Sequence, residues 1–408
     1  GVVGASVAYH TKLMDPSLRV CVVERDVQYT HASAMLSAGG LRHQFSLPVN
    51  IDLSVYGIHF LRQLGEDLRV PTEEPPDVQF QEQGYLFLAS EDGEQTLRSN
   101  HATQRSRGVT WTSLLEPHTL SSRFPWLNVD GIALGCLGET NEGWFDPWAL
   151  LAALRAKSKS MGVHFITGAV TDLRCSIRTG GERALEAVDV VHAGKTRVFT
   201  IGTVVNAAGP FAAQIVHMCG DGVASLPVQP RKRCIFSFHC AEGATEAGMV
   251  PPAEHTPLVV DPSGVYFRPE GPPGRFLCGV SPPEGWADPD CTGTHELEGV
   301  EHALFDEVIW PALYERCEAF GALKVQASWA GFYDYNTLDQ NAIIGRHPHV
   351  CNLVLCNGFS GHGLQQAPGA GRAVAELLTE GGYQTIDVGC FGFDRVLRGE
   401  RLREQNIV

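Results

Sequence analysis

Long hydrophobic runs, an excess of positive charge and paired cysteines are all missing from this chain. No apolar run approaches the ~20 residues of a membrane-spanning helix, and a net charge of −15 argues against nucleic acid or an anionic membrane as the main partner. The twelve cysteines form no C-x-x-C pair and no spacing with histidine that is typical of zinc. We therefore expect reduced thiols and no metal. The 408 residues, 44% of them hydrophobic, are typical of a globular protein with two domains.

The first residues have the pattern of a nucleotide-binding motif. No targeting peptide is visible, but the chain starts without Met, and Gly1 and Gly4 have the spacing of the second and third glycines of G-x-G-x-x-G. The first glycine and its strand would lie upstream of residue 1. An apolar strand ends at Glu24, 20 residues after Gly4, the usual distance for a carboxylate that binds ribose hydroxyls. This predicts a βαβ dinucleotide site, and the alternative is a plain βαβ unit with an exposed acid.

A glycine-rich segment near the other end suggests a second ligand contact. The apolar run 353–356 predicts a buried strand, and Gly358, Gly361 and Gly363 follow it. We expect Pro368 to open a helix over 369–378, because proline is tolerated in a first helical turn. Such a bend lets the backbone approach a flat or anionic ligand. A strand-to-helix loop that merely needs glycine is the alternative.

Two further segments of small residues fit the same interpretation. Residues 203–210 repeat the pattern of an apolar strand that ends in small residues and glycine before a helix. The small, polar segment 32–40 is suited to a loop beside pyrophosphate. Arg42 and His43 come next, and they either face a ligand or are surface charges at the start of an amphipathic helix over 49–65.

The middle of the chain has a different character. Residues 226–280 alternate as in an antiparallel sheet, and we expect a helix over 294–318. Proline after Asp146 predicts another helix over 148–161. Four basic residues in this acidic chain either line an anion pocket or lie on solvated strand faces: Arg231, Lys232, Arg233 and Arg268.

Taken together, these motifs resemble the FAD-dependent amine oxidoreductases of the D-amino-acid oxidase and sarcosine oxidase type. The likeness covers nearly the whole chain. Its markers are Gly1-x-x-Gly4, Glu24, Ser37-Ala38-Gly39-Gly40, Asn206-Ala207-Ala208-Gly209, Asn341-Ala342-Ile343-Ile344-Gly345 and Gly358-Phe359-Ser360-Gly361-His362-Gly363.

The resemblance implies an α/β fold with a Rossmann-type FAD-binding domain and an antiparallel-sheet substrate domain. The first would comprise 1–68, 141–218 and 340–408, with its first strand missing, and the second 69–140 and 219–339. The pyrophosphate would lie at Gly1 and Gly4, the ribose at Glu24 and the adenine at Val170. The isoalloxazine would lie at Gly361 to Gly363, and the helix near Pro368 would direct its positive end at the flavin. The implied FAD-binding residues are Gly1, Gly4, Glu24, Ser37, Gly39, Gly40, Val170, Ala208, Gly209, Gly358, Ser360, Gly361, His362 and Gly363.

The resemblance also implies hydride transfer to flavin from a C–H bond beside an amine nitrogen of a small, unidentified substrate. The sequence departs from the family pattern at three positions that affect this implied reaction. Gln365 replaces a lysine that grips the substrate carboxylate in sarcosine oxidases, Phe45 replaces a second arginine, and Phe276 replaces a lysine that assists oxygen activation. Gly331 replaces the cysteine that tethers flavin, so we expect non-covalent FAD. The other departures make us expect a dehydrogenase rather than an oxidase. The implied substrate face contains Arg42, Tyr266, Arg268, Tyr333 and His362.

Within the family, the likeness is to a mitochondrial branch linked to the assembly of respiratory complex I. This implies a location in the matrix or on the matrix face of the inner membrane, and complex I subunits or assembly intermediates as partners. Two alternatives stay open. One is an assembly factor whose FAD is structural. The other is a chain that binds no FAD as given, because it lacks the first strand of the cofactor sheet.

Overall fold

The computed structural model describes residues 1–179, 182–241, 248–283 and 285–405. The last three residues of the predicted FAD-binding domain, 406–408, lie outside the described residues. In the described part, the α-helices are α1 (Val2–Met14), α2 (Pro48–Asp67), α3 (Glu91–Ser106), α4 (Pro117–Arg123), α5 (Pro147–Ser160), α6 (Ala212–His217), α7 (His302–Leu304), α8 (Trp310–Arg316), α9 (Gly363–Thr379) and α10 (Asp394–Arg398).

The strands fall into five sheets over the described ranges. They are β1 (Cys21–Glu24), β2 (Gly40–Leu41), β3 (Tyr85–Ala89), β4 (Thr112–Leu115), β5 (Leu134–Gly138), β6 (Gly143–Trp144), β7 (His164–Thr167), β8 (Ala169–Ile177), β9 (Arg183–His192), β10 (Lys195–Thr200), β11 (Val204–Asn206), β12 (Val228–His239), β13 (Leu258–Val260), β14 (Tyr266–Pro269), β15 (Arg275–Gly279), β16 (Lys324–Asn336), β17 (Ile343–Arg346) and β18 (Leu353–Asn357).

Parallel strand pairs bring the predicted nucleotide-binding segments to the same side of the fold. β1 runs parallel to β7, and β11 runs parallel to β18 with Asn206 opposite Leu355. The Asn357 side chain donates to the carbonyl of Asn206 at 3.0 Å. Because parallel strands end at one sheet edge, the glycine-containing loops after β11 and β18 are neighbours. The result is a mixed α/β fold of the Rossmann type with a second, larger sheet.

The larger sheet has eight strands in the order β16-β12-β15-β14-β13-β3-β5-β4. All eight lie within the two ranges that the sequence assigns to the substrate domain. Every pair is antiparallel except β13 with β3, which is parallel.

Alternation along the strands gives this sheet two apolar faces. On β3, Leu86 and Leu88 join a core with Phe267 and Phe276. Tyr85 and Phe87 belong to a separate cluster on the other face, together with Tyr266. The second face is the one that meets the segment after β2.

The predicted start of the C-terminal helix was wrong. α9 begins at Gly363, and Pro368 lies inside it. A proline there removes one backbone hydrogen bond, but Leu364 and Ala367 are buried in the core beside α2 and favour helix from Gly363 onward. The positive end of α9 therefore lies at His362. The helix predicted within 294–318 is present: α7, a π-helical stretch over Phe305–Ile309 and α8 follow one another without a break, after a separate 3₁₀ turn over Thr294–Glu298.

The helix predicted after Asp146 is confirmed. α5 starts at Pro147, and the Asp146 carboxylate accepts from the backbone nitrogens of Trp148 and Ala149 at 2.8 and 3.3 Å. The twelve cysteines are free, and most are buried. Among the described residues, no helix combines the length and apolarity needed to cross a lipid bilayer.

Candidate active site

The predicted ribose carboxylate lies beside Gly1, the residue that precedes α1. The Gly1 nitrogen is 3.1 Å from Oε2 of Glu24, and the Asp26 nitrogen is 3.1 Å from Oε1. Gly168, at the end of β7, donates its N–H to the Glu24 carbonyl at 3.0 Å, which places Val170 close to the end of β1. The structure thus brings together the residues predicted to contact pyrophosphate, ribose and adenine.

The loop after β11 leaves open space next to α1. A Cβ on Gly4 would lie 3.6 Å from Cβ of Ala207, so the helix passes close to this loop. Gly209 has φ +54°, and a Cβ there would meet nothing within 4 Å. The Asn206 side chain fixes the loop by accepting from the Ala208 nitrogen at 3.2 Å and donating to the Ala212 carbonyl at 2.9 Å. A ligand can therefore reach the Ala208–Gly209 backbone.

The segment that contains Ser37, Gly39 and Gly40 is held from two sides. Ser37 Oγ donates to the Ala34 carbonyl at 2.7 Å. Gly39 has φ +74°, and a Cβ there would lie 2.5 Å from the Phe145 carbonyl oxygen, so only glycine fits. Ser33 Oγ, earlier in the same loop, is buried without a hydrogen-bond partner in the described structure. A buried hydroxyl of this kind calls for a polar ligand or water.

The bend after β18 is wrapped around a carboxylate that sequence reasoning missed. Gly358, Ser360 and Gly361 have φ of +74°, +50° and +103°. Asp334 Oδ2 accepts from the Phe359 nitrogen at 3.0 Å, and the Asp334 carbonyl accepts from the Ser360 nitrogen at 3.2 Å. Burial raises the pKa of Asp334 to about 6. Asp334 thus sets the shape of the bend predicted to face the flavin.

Ionisation of Asp334 predicts a pH-dependent stability. Its pKa is about 6 in the folded protein and 3.8 ordinarily, so between those values the folded chain keeps a proton that the unfolded chain has released. Stability contributed by Asp334 is therefore present below about pH 4 and is lost as pH rises to about 6. We expect wild type to lose stability relative to Asp334→Asn between about pH 4.5 and about pH 7 in urea unfolding. A difference that stays constant with pH would contradict this assignment.

Arg42 lies at the meeting point of β2, the large sheet and the glycine bend. Its Nη2 donates to Nε2 of His362 at 3.1 Å, and Nη1 is 3.5 Å from the Tyr85 hydroxyl. Its Cζ is 4.7, 5.2 and 5.6 Å from the ring centroids of Phe45, Phe87 and Tyr85. Arg42 Nε is buried without a partner, and none of the described carboxylates forms an ion pair with Arg42.

His362 is a neutral acceptor for Arg42. Burial, with a smaller contribution from the Arg42 charge, lowers the pKa of His362 to about 3. Because arginine can only donate, the His362 nitrogen facing it must present a lone pair. The ring also packs edge-on against Phe45, with centroids 5.0 Å apart. His362 therefore stabilises Arg42 without neutralising its charge.

Three tyrosines on the second face of the large sheet surround this region. A Cβ on Gly361 would lie 2.6 Å from the Tyr333 ring, so Tyr333 covers the glycine bend. Burial raises the pKa of Tyr266 well above its ordinary value, with Tyr333 and Tyr85 contributing. Tyr85 was missed. The alternation of side chains along β3 predicts that Tyr85 lies on the same face as Phe87. The sequence does not show that β3 pairs with β13, and this pairing places Tyr85 in one cluster with Tyr266.

Of the other predicted basic residues, Arg231, Arg233 and Arg268 pair with acids, and Lys232 Nζ donates to the Gly299 carbonyl at 3.1 Å. Arg268 Nε donates to the Ala38 carbonyl at 2.8 Å, and Nη1 pairs with Glu270. Arg233 binds both oxygens of Asp288, at 2.7 and 3.1 Å, and Arg231 pairs with Asp288 and Asp290. Arg268 thus holds the cofactor loop. The three arginines form ion pairs rather than the open anion pocket considered above.

Two further expectations are corrected. His43 does not face a ligand: its ring is buried, with Nε2 3.2 Å from the Ser54 carbonyl and Nδ1 3.3 Å from Glu142. Phe276 lies in the core on the far face of the large sheet, so it does not occupy the place of an oxygen-activating lysine. On β15, the residues opposite Arg268 and Tyr266 are Leu277 and Gly279.

The residues present fit FAD. The loop of Ala208 and Gly209 has space for a ligand, Ser33 has an unpaired buried hydroxyl, and the Gly358–Gly363 bend exposes backbone at the start of α9. Gly1, Gly4 and Glu24 would hold the nucleotide portion, and the bend would hold the flavin portion. Gly331, where a tether would be needed, carries no sulfur and lies against Leu36.

Comparison with known proteins identifies the class. The family model of FAD dependent oxidoreductases (DAO) matches residues 1–377, and the chain belongs to this family of FAD flavoproteins. FAD-dependent oxidoreductase domain-containing protein 1 of Bos taurus is 44% identical over all of this chain and 85% of that protein.

Two other matches describe the family more widely. Rat mitochondrial dimethylglycine dehydrogenase is 30% identical over 56% of this chain and 25% of that protein. The crystal structure of L-proline dehydrogenase from P. horikoshii superposes with a TM-score of 0.79 at 24% identity, covering 98% of this chain and 97% of that one. The second match establishes the fold alone.

Proposed function

We propose that this oxidoreductase acts on an amine that carries an anionic group, removing hydrogen from the carbon beside the nitrogen. The observation that carries the proposal is Arg42, a guanidinium enclosed by aromatic rings and beside the glycine bend. Arg42 is half-buried with its Nε out of water, and withdrawing a charge from water without a counter-ion is costly. A substrate carboxylate would supply the missing partner through a charge-assisted hydrogen bond.

The roles of the other residues follow from their contacts. FAD, when bound, supplies the two-electron acceptor. His362, whose low pKa keeps it neutral, holds Arg42 in place. Tyr85, Tyr266 and Tyr333 enclose the space between the sheet and the bend, and their rings exclude water from the anionic contact. The name of one relative, a mitochondrial dimethylglycine dehydrogenase, supports amine chemistry.

Matched pairs of amines test this proposal. FAD-loaded protein is mixed without oxygen with L-proline or pyrrolidine, and with N,N-dimethylglycine or trimethylamine, while the visible flavin absorbance is followed. We expect the carboxylated member of at least one pair to bleach the flavin faster. Equal bleaching by both members of each pair, or bleaching by none, would contradict the proposed anionic amine.

We also infer a dehydrogenase rather than an oxidase. The β15 residues paired with Arg268 and Tyr266 are Leu277 and Gly279, and neither can assist oxygen activation as a lysine does. Reduced protein should therefore pass electrons faster to an added quinone than to oxygen. Faster reoxidation in air would refute this assignment.

A second candidate function is an assembly factor for respiratory complex I in the mitochondrial matrix. It is favoured by Gln365, which stands where sarcosine oxidases have a lysine. Because the Gln365 amide is buried and neutral, a substrate anion would meet one cation, Arg42, instead of two. The test is complementation of cells that lack the gene. An assembly role independent of catalysis predicts that Arg42→Ala restores complex I as well as wild type does. Failure of this variant would link assembly to the active site.

A further inference from the structure

Gln365 is turned towards the backbone of Arg42. Its side chain is 5% exposed. Oε1 accepts from the Arg42 nitrogen at 2.9 Å, while Nε2 donates to the Arg42 carbonyl at 3.2 Å and to Ser54 Oγ at 3.0 Å. Both amide hydrogens and one oxygen lone pair are thus in use inside the protein, and the amide has no donor left for a ligand.

Glu142 holds the next two residues from the opposite side. Its carboxylate is fully buried, with Oε1 accepting from the His43 nitrogen at 2.8 Å and Oε2 accepting from Gln44 Nε2 at 2.8 Å. Gln44 Nε2 also donates to the Tyr85 carbonyl at 2.9 Å. Charge-assisted bonds of this kind are short and strong. Residues 42 to 44 are therefore fixed to α9 on one side and to the large sheet on the other.

This arrangement matters because the Arg42 guanidinium has little else to fix it. Among the described residues, its polar contacts are one imidazole and one distant hydroxyl, and ring faces hold a cation without fixing its orientation. A long side chain is placed accurately only when its own backbone is fixed.

We propose that Gln365 and Glu142 are positioning residues that fix the Arg42 backbone, so that this single guanidinium determines where the anionic group of the substrate binds. The inference rests on the proposed function and specifies how its anion subsite is built. It also explains why Gln365 does not act as a second anion ligand: its donors are bonded to Arg42 and Ser54.

The neighbouring glutamine provides a matched control. Gln366 is equally buried on the same helix, at 2% exposure, but its Nε2 donates to Asn50 at 3.0 Å and it makes no hydrogen bond to Arg42. Gln365→Met and Gln366→Met therefore remove the same group at similar burial. Gln365→Glu keeps an acceptor for the Arg42 nitrogen.

Two readouts test the proposal. The first is hydrogen exchange of the Arg42 amide, which needs no ligand. The second is the affinity of FAD-loaded protein for benzoate, a flat carboxylate probe, from the shift in flavin absorbance. For Gln365→Met we expect about tenfold faster exchange and about tenfold weaker benzoate binding. We expect Gln366→Met to change neither, and Gln365→Glu to keep the slow exchange.

The outcomes distinguish a failure of the positioning role from a failure of the proposed anion site. If wild type binds benzoate and requires Arg42, but Gln365→Met behaves like Gln366→Met in both readouts, the positioning role is refuted and the anion site stands. If wild type does not bind benzoate, or binds it equally without Arg42, the anion site itself is refuted, and the inference falls with it.

Discussion

Replacing Arg42 with alanine is expected to weaken benzoate binding to the FAD-loaded protein by roughly 10²-fold. Loss of one partner from a desolvated, hydrogen-bonded charge pair costs about 3 kcal/mol, and each 1.4 kcal/mol is about tenfold in affinity. Arg42→Lys should recover only part of the loss, because an ammonium cannot present two parallel donors to a carboxylate.

Stability distinguishes this functional role from a structural one. In the free protein Arg42 has no described carboxylate partner and one buried, unpaired nitrogen. Its removal should therefore leave the free energy of unfolding unchanged within about 1 kcal/mol, or raise it. Arg62, which pairs with Glu82 at 2.6 Å on the surface, is the control, and Arg62→Ala should leave benzoate binding intact. If Arg42→Ala weakened benzoate binding only as far as it lowered stability, the functional role of Arg42 would be contradicted.

The second large effect is expected for Gly361→Ala, which should lower FAD affinity at least tenfold. Gly361 has φ +103°, a conformation that costs a residue with a side chain about 1–3 kcal/mol. Its new Cβ would also lie 2.6 Å from the Tyr333 ring. Either the bend or Tyr333 must move, and both contact the predicted flavin position.

Gly381→Ala separates backbone strain from the local clash. Gly381 has φ +81°, but a Cβ there would meet nothing within 4 Å. Both substitutions should lower the stability of the apoprotein, because both place a side chain in an unfavourable conformation. Only Gly361→Ala should also weaken FAD binding, measured by fluorescence titration. Equal FAD affinity in the two variants would contradict the placement of flavin at the bend.

Much of the fold could be predicted because its signals are local. The buried strand β18 and its glycines are continuous in sequence, and so is the strand that ends at Glu24. The start of α9 was misplaced because Pro368 is a local signal, whereas the burial of Leu364 and Ala367 depends on packing against α2. Local rules cannot weigh one lost hydrogen bond against that burial.

The site was predicted less completely because its contacts join distant segments. Asp334 and its bonding partner Phe359 in the bend are 25 residues apart in sequence. Arg42 and Gln365 are 323 residues apart. Arg42 and His43 looked equivalent in sequence, yet Glu142 and Ser54 turn His43 into the core. The likeness to a family indicated which residue types to examine, but it did not show that Gln365 bonds to the Arg42 backbone.

The residues of this chain predict a site that holds FAD without a covalent bond. The most direct measurement is the visible spectrum of the protein, purified and then incubated with FAD, before and after acid precipitation. We expect a flavin spectrum, with FAD released into the supernatant, because Gly331 offers no sulfur for a tether. Colour retained in the precipitate would contradict non-covalent binding, and protein that stays colourless with added FAD would contradict the flavin site itself.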